Sequence, residues 1–184
     1  MPSFDLTRIL HFLPFLVFGW MIVGATQIFT RTPGDVWNAR GFGVGLSIWG
    51  PLVSTQLASR PPLWVSGIGV AGLVLSLALF NWAASSIRGR MFSLAGHDDL
   101  PQFVHRSGPY AYIRNPFYAS YILAGISTIV MWPNAWGALT VVLSIAYYEW
   151  LARFEERKFE HSAVAAEYAE YKARTGRLFP RFSR

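Results

Sequence analysis

Residues 63–84 read LWVSGIGVAGLVLSLALFNWAA, an apolar run in which Asn81 is the only strongly polar side chain. A membrane-crossing helix needs roughly 20 mainly apolar residues, and this stretch supplies them without a charge. Its glycines, Gly67, Gly69 and Gly72, admit two readings: a cradle for a cofactor, or places where helix backbones approach each other in lipid. Close packing is the reading adopted, because small residues are the usual means of helix association in a bilayer.

Outward from this run, further candidate spans lie at 9–29, 41–58, 116–132 and 134–152. The last two are separated by Pro133-Asn134, a turn signal that makes them a tight helical hairpin. Composition agrees: 53% of the 184 residues are hydrophobic and only 14% charged, against about 25% charged in a soluble domain. The expected fold is therefore all-α, an integral membrane bundle of about five transmembrane helices, forming a single domain over residues 1–184. Its polar segments are 85–115 and a C-terminal helical segment, 153–184. The start, Met1 to Arg8 and the apolar run behind it, resembles a signal peptide, but the run is longer than the usual ~7–15 residues and is expected to stay as a helix.

Charge sets the orientation. With five spans, one side receives fourteen of the sixteen Lys and Arg residues and the other only Arg8 and Arg60. The basic side is expected to be cytoplasmic and the N-terminus outside. The net charge of +6 lies mostly beside apolar spans, so anionic lipid headgroups and not nucleic acid are the expected partner. Trp37, Trp64, Trp82, Trp132, Trp136 and Trp150 fall near span ends as an aromatic belt would, whereas Trp20 and Trp49 fall mid-span and are expected to pack inside. The chain has no cysteine, which excludes disulfides, thiolate metal sites and a cysteine nucleophile.

Two polar segments carry candidate chemistry. The first runs Gly108-Pro109-Tyr110-Ala111-Tyr112-Ile113-Arg114-Asn115-Pro116-Phe117-Tyr118. Gly108-Pro109 marks a turn, and Pro116 has the φ that suits a helix start. Arg114 then stands just before a helix N-terminus, where backbone amides and the helix dipole favour an anion. Tyr110, Tyr112 and Tyr118 could wall a pocket for a flat or cationic ligand. Equally, the tyrosines could anchor at the interface while Arg114 pairs with lipid phosphate; the residues alone leave both readings open. The second segment, from Tyr147 to Arg184, begins with Glu149, Glu155 and Glu156 where a span emerges. Glu149 and Arg153 are spaced as a helical ion pair. Glu155 and Glu156 must point in different directions on a helix. Tyr168 and Tyr171 share a helix face, and Leu178-Phe179-Pro180 ends the element.

These two segments, in this order and downstream of several spans, resemble the superfamily of isoprenylcysteine carboxyl methyltransferases and phospholipid methyltransferases. That superfamily's first signature is Gly-Pro-Tyr followed by Arg-His-Pro, then a Tyr and a Gly at alternate positions; its second is a Glu pair at a helix end, a Tyr-rich helix and a terminal Pro. Residues 100–181 match this, with Asn115 in place of the usual His and Ser120 in place of the Gly. The resemblance implies a membrane methyltransferase that uses S-adenosylmethionine as methyl donor and holds it on the cytoplasmic side. The donor-binding residues it implies are Tyr110, Arg114, Asn115, Pro116, Tyr118, Glu155 and Glu156. The acceptor is expected to be lipophilic: a phospholipid amine, an isoprenylcysteine-type carboxylate or a small thiol.

No catalytic residue is assigned. An amine acceptor must arrive neutral, and His105 is the nearest titratable candidate for a base, although a solvated loop histidine is the simpler expectation for it. His97-Asp98-Asp99 is read as a hydrated loop, and no metal site is expected. A transporter is disfavoured because polar groups cluster at one face and no internal repeat is visible. A non-catalytic scaffold of the same fold is the other alternative.

Overall fold

The computed structural model describes residues 10, 12–30, 62–87, 92–93 and 100–181. Among these the architecture is all-helical: α1 (Leu13–Ile28), α2 (Leu63–Ser86), α3 (Pro116–Met131), α4 (Ala135–Glu160) and α5 (Ala165–Arg174). A 3-10 turn at Gly108–Ala111 precedes α3, and two-residue strands Phe29–Thr30 and Phe92–Ser93 pair in parallel. The span expected at 41–58, together with Trp37, Trp49 and His97-Asp98-Asp99, lies outside the described residues.

Helices α2 and α4 are long and apolar enough to cross a membrane, and the apolar parts of α1 and α3 are shorter. Helix α4 continues past the expected boundary at 152. The residues that follow are charged, but Arg, Glu and Lys are good helix formers, so the end of an apolar run is not the end of the helix. Asn134 caps the other end, its side chain accepting a hydrogen bond from the Gly137 amide at 2.8 Å.

Packing inside the bundle reverses the pattern of a soluble protein. The buried face of α2 holds Ser66, Gly69, Leu73, Ser76, Phe80 and Ala83, whereas its outer face exposes Leu63, Trp64, Ile68, Val74, Leu75 and Trp82. Helix α4 likewise buries Gly137, Thr140 and Ser144 and exposes Leu139, Val142 and Leu143. Large apolar side chains outside and small or hydroxylated ones inside suit a bundle solvated by lipid. Two fully buried hydroxyls are satisfied within the bundle: Ser76 donates to the Ser120 carbonyl across the α2–α3 contact at 2.8 Å, and Thr128 to the Ala124 carbonyl of its own helix at 2.9 Å.

The close-packing reading of the glycines holds for two of the three. A Cβ on Gly69 would stand 2.1 Å from Met131 Cγ, and one on Gly72 would stand 2.2 Å from Ser127 Oγ; Gly67 faces open space. Around this contact Val17, Phe18 and Met21 of α1, Leu73 and Phe80 of α2, and Phe117, Ala124 and Met131 of α3 form the main core.

Two tryptophans depart from expectation. Trp132 belongs to the core and not to an interfacial belt. Trp20 is not an interior packing residue: it is 57% exposed, and its indole N–H donates to Asn81 Oδ1 at 3.1 Å. Asn81 in turn donates to the Leu77 carbonyl, so the polar residue in the C-terminal part of α2 is satisfied by tying α1 to α2.

Overpacking a tight contact costs about 1–3 kcal/mol. Gly72→Leu is therefore expected to lower the thermal unfolding midpoint of the detergent-solubilised protein, while Gly67→Leu leaves it unchanged or raises it.

Candidate functional site

The site begins with a turn that only glycine can start. Gly108 has φ +63°, and a Cβ there would stand 2.6 Å from Ser86 Cβ, so the turn rests directly on the end of α2. Pro109 follows, and its carbonyl accepts from the amides of Tyr112 and Ile113 at 3.0 Å each. The chain then extends, forms a parallel bridge between Ile113 and Gly176, and enters α3 with Pro116 in its first turn. The Arg114 amide donates to the Gly176 carbonyl at 2.8 Å, and the Asn115 amide to the Arg177 carbonyl at 3.1 Å.

This zipper brings the chain's C-terminal turn against the start of α3, and their side chains meet on Glu156. Arg114 Nε donates to Glu156 Oε1 at 2.9 Å, with both side chains buried, at 8% and 4% exposure. Arg177 grips the same carboxylate with two parallel bonds, Nε to Oε1 and Nη2 to Oε2, each 2.9 Å. Arg177 also contacts Glu149, and Lys172 approaches Glu156 Oε2 at 3.9 Å while pairing with Glu160 at 2.9 Å. The remaining reach of Arg114 goes to the carbonyls of Thr175 and Lys172. The hydrogen bonds that Glu156 accepts from it hold the Arg177 guanidinium above the usual arginine range.

Glu155 faces a different partner, as its place on the helix requires. The Tyr118 hydroxyl donates to Glu155 Oε1 at 2.6 Å, and the Tyr118 ring stacks on Tyr148 with centroids 5.0 Å apart. Tyr121 and Tyr147 flank Tyr148. On the other side, Tyr171 of α5 donates to the Tyr110 carbonyl at 2.7 Å, and Tyr168 stacks on Phe159 at 4.2 Å. Burial pushes the Tyr110, Tyr168 and Tyr171 hydroxyls up from their ordinary range, so all three remain neutral.

All seven expected residues therefore belong to one assembly: Tyr110, Arg114 and Asn115 ahead of α3, Pro116 and Tyr118 at the start of α3, and Glu155 and Glu156 on α4. Asn115 contributes its amide, and its side-chain Nδ2 donates to the Arg177 carbonyl at 3.4 Å. Ser120 packs away from the glutamates, fully buried beneath Ser76 of α2. Glu149 pairs with Arg153 as its spacing indicates, but it also serves Arg177. Nothing in the sequence set Arg177 apart from the other basic residues of the tail. His105 is buried, not solvated: its ring stands edge-on to Tyr110 at 4.9 Å and lies 3.0 Å from the Ser107 hydroxyl.

The sequence pattern of a family described as phospholipid methyltransferase matches residues 64–163, which takes in the turn, α3 and both glutamates. The chain is also similar to the cobalt-zinc-cadmium resistance protein CzcN of Cupriavidus metallidurans, at 31% identity over 152 residues, covering 75% of this chain. It spans 64% of the length of that relative.

Removing one member of a buried ion cluster strands the others and costs about 3–5 kcal/mol. Glu156→Ala is expected to lose that much in denaturant unfolding, whereas Arg153→Ala, which removes an exposed partner of Glu149, changes stability by about 0–1 kcal/mol.

Proposed function

The chain belongs to the phospholipid methyltransferase family, and from that premise we propose that it is an S-adenosylmethionine-dependent methyltransferase acting on a lipophilic acceptor, a phospholipid amine or an isoprenylcysteine-type carboxylate. The family is one of methyltransferases, and the chain is a membrane protein. The finer reading takes it as a bundle of about five spans, with the N-terminus outside and the site at the cytoplasmic face, where fourteen of the sixteen Lys and Arg residues fall.

The observation that carries this reading is the meeting of the two signatures. The turn before α3 reaches Glu156 through Arg114, and α3 reaches Glu155 through Tyr118. The available chemistry fits the donor, which carries an amine, ribose hydroxyls, a carboxylate and a sulfonium. Glu155 supplies carboxylate oxygens able to accept from an amine or hydroxyls, the Tyr118 hydroxyl that donates to one of them orients the group, and the Tyr118 ring beside it is aromatic surface favourable to a cation. Glu156 and Arg114 are already engaged with each other and with Arg177. In this reading they, with Asn115, Pro116 and Tyr110, form the frame that holds the binding surface in place.

When bound, the donor supplies a methyl group already activated for in-line displacement by its sulfonium. The protein's share is then alignment and exclusion of water, which in well-oriented reactions is worth about 7–11 kcal/mol. The Glu156 cluster fixes the start of α3 against α4, and so fixes Tyr118 relative to Glu155. A carboxylate acceptor needs no base; an amine must arrive unprotonated.

Two measurements test the reading. Membranes containing the protein, incubated with methyl-labelled S-adenosylmethionine, are expected to yield a labelled lipophilic product, and no such product contradicts it. Glu155→Gln removes a charged acceptor whose hydrogen bonds are worth about 1.5–3 kcal/mol. It is expected to weaken donor binding by roughly tenfold or more in calorimetric titration, with the unfolding midpoint retained; wild-type affinity contradicts the assignment.

A further inference from the structure

The C-terminal turn, Thr175 to Arg181, carries side chains that the site does not use. Leu178 is buried, at 6% exposure, against Ile122 of α3 and Tyr148 of α4, and the next residue, Phe179, is 69% exposed. Ile122 stands six residues into α3 and Tyr148 four residues before the expected end of its span at 152. At 1.5 Å per residue, Leu178 reaches about 6–9 Å inside the level where those spans end. An aromatic ring exposed beside it is exposed at the depth of lipid, not in bulk water.

Irregular backbone is tolerated at that depth only if its polar groups are satisfied by the protein, and this turn meets the condition at both ends. The amides of Gly176 and Arg181 donate to the Tyr112 carbonyl, and the carbonyls of Gly176 and Arg177 accept from Arg114 and Asn115. Gly176 permits the fold-back, since a Cβ there would stand 1.7 Å from the Phe179 carbonyl oxygen. Trp150, two residues beyond Tyr148, is also exposed, as an interfacial tryptophan would be. In sequence Phe179 is flanked by two exposed cations, Arg174 and Arg181. An aromatic between arginines matches a surface that offers acyl chains beneath anionic headgroups.

We propose that the turn Thr175–Arg181 is an interfacial anchor, with Phe179 seated in the acyl region of the leaflet and Arg174 and Arg181 against anionic headgroups. This rests on the reading that α3 and α4 cross the bilayer. Because Arg177 lies in the same turn, lipid seating and the clamp on Glu156 are parts of one structural unit.

The chain has no cysteine, so single nitroxide labels can be placed without altering other residues. Phe179→Cys, Val142→Cys on the outer face of α4 and Glu170→Cys on α5 would be labelled in the full chain, reconstituted in phosphatidylcholine–phosphatidylglycerol vesicles. Electron paramagnetic resonance power saturation then compares access by oxygen and by a water-soluble nickel chelate. The expected result is that the label at 179 favours oxygen, as at 142, while the label at 170 favours nickel. A label at 179 that behaves like 170, or one shielded from both reagents as in a protein contact, overturns the proposal. An aqueous reading at 142 overturns the spanning assignment beneath it. Adding Arg181→Glu to Phe179→Cys is expected to shift the label towards nickel in these vesicles; no shift overturns the headgroup contact.

Discussion

One buried carboxylate organises the polar half of the molecule. Removing Glu156 from water carries a penalty of several kcal/mol, and the same holds for the buried Arg114 guanidinium beside it. The cluster is stable because two guanidinium groups and an ammonium surround one acid, and the two Glu156 oxygens accept directional bonds from Arg114 and Arg177. Those two arginines come from segments far apart in sequence, and Glu156 from a third. Satisfying its charge therefore forces the turn before α3, the end of α4 and the C-terminal turn into one place. The backbone bonds of Arg114 and Asn115 to Gly176 and Arg177 then set their register.

The apolar half supplies a rigid base for this cluster. Gly69 and Gly72 let α2 approach α3 until Ser127 and Met131 fill the gap, and Ser76 bonds across to α3 at Ser120. Gly108 seats the turn on Ser86 at the end of α2. The start of α3 is thus fixed from the membrane side by packing and from the polar side by charge. Tyr118, in the first turn of α3, is the residue through which that fixed geometry reaches Glu155.

Much of this was legible in sequence because the signals are periodic or conformational. Apolar length located α2 and α3 to within two residues, Pro133-Asn134 marked the hairpin, and helical geometry separated Glu155 from Glu156. What stayed hidden depends on contacts between distant segments. Arg177 is one of eight basic residues after Glu149, and only the bridge between Ile113 and Gly176 aims it at Glu156. His105 is polar in a polar loop, and its burial follows from Tyr110 standing against its ring. Trp20 and Trp132 exchanged their expected places because a position along a span does not say which face is turned to lipid. Helix α4 runs on beyond 152 because hydropathy reports where an apolar run ends and not where a helix terminates.

The central claim is that charge satisfaction at Glu156 holds the start of α3 to the C-terminal turn. Hydrogen–deuterium exchange at the Arg114 and Asn115 amides reads this directly, since both donate into that turn. These amides should be protected in the wild-type protein and exchange markedly faster in Arg177→Ala, with α2 amides unchanged. Equal protection in the two proteins would contradict it.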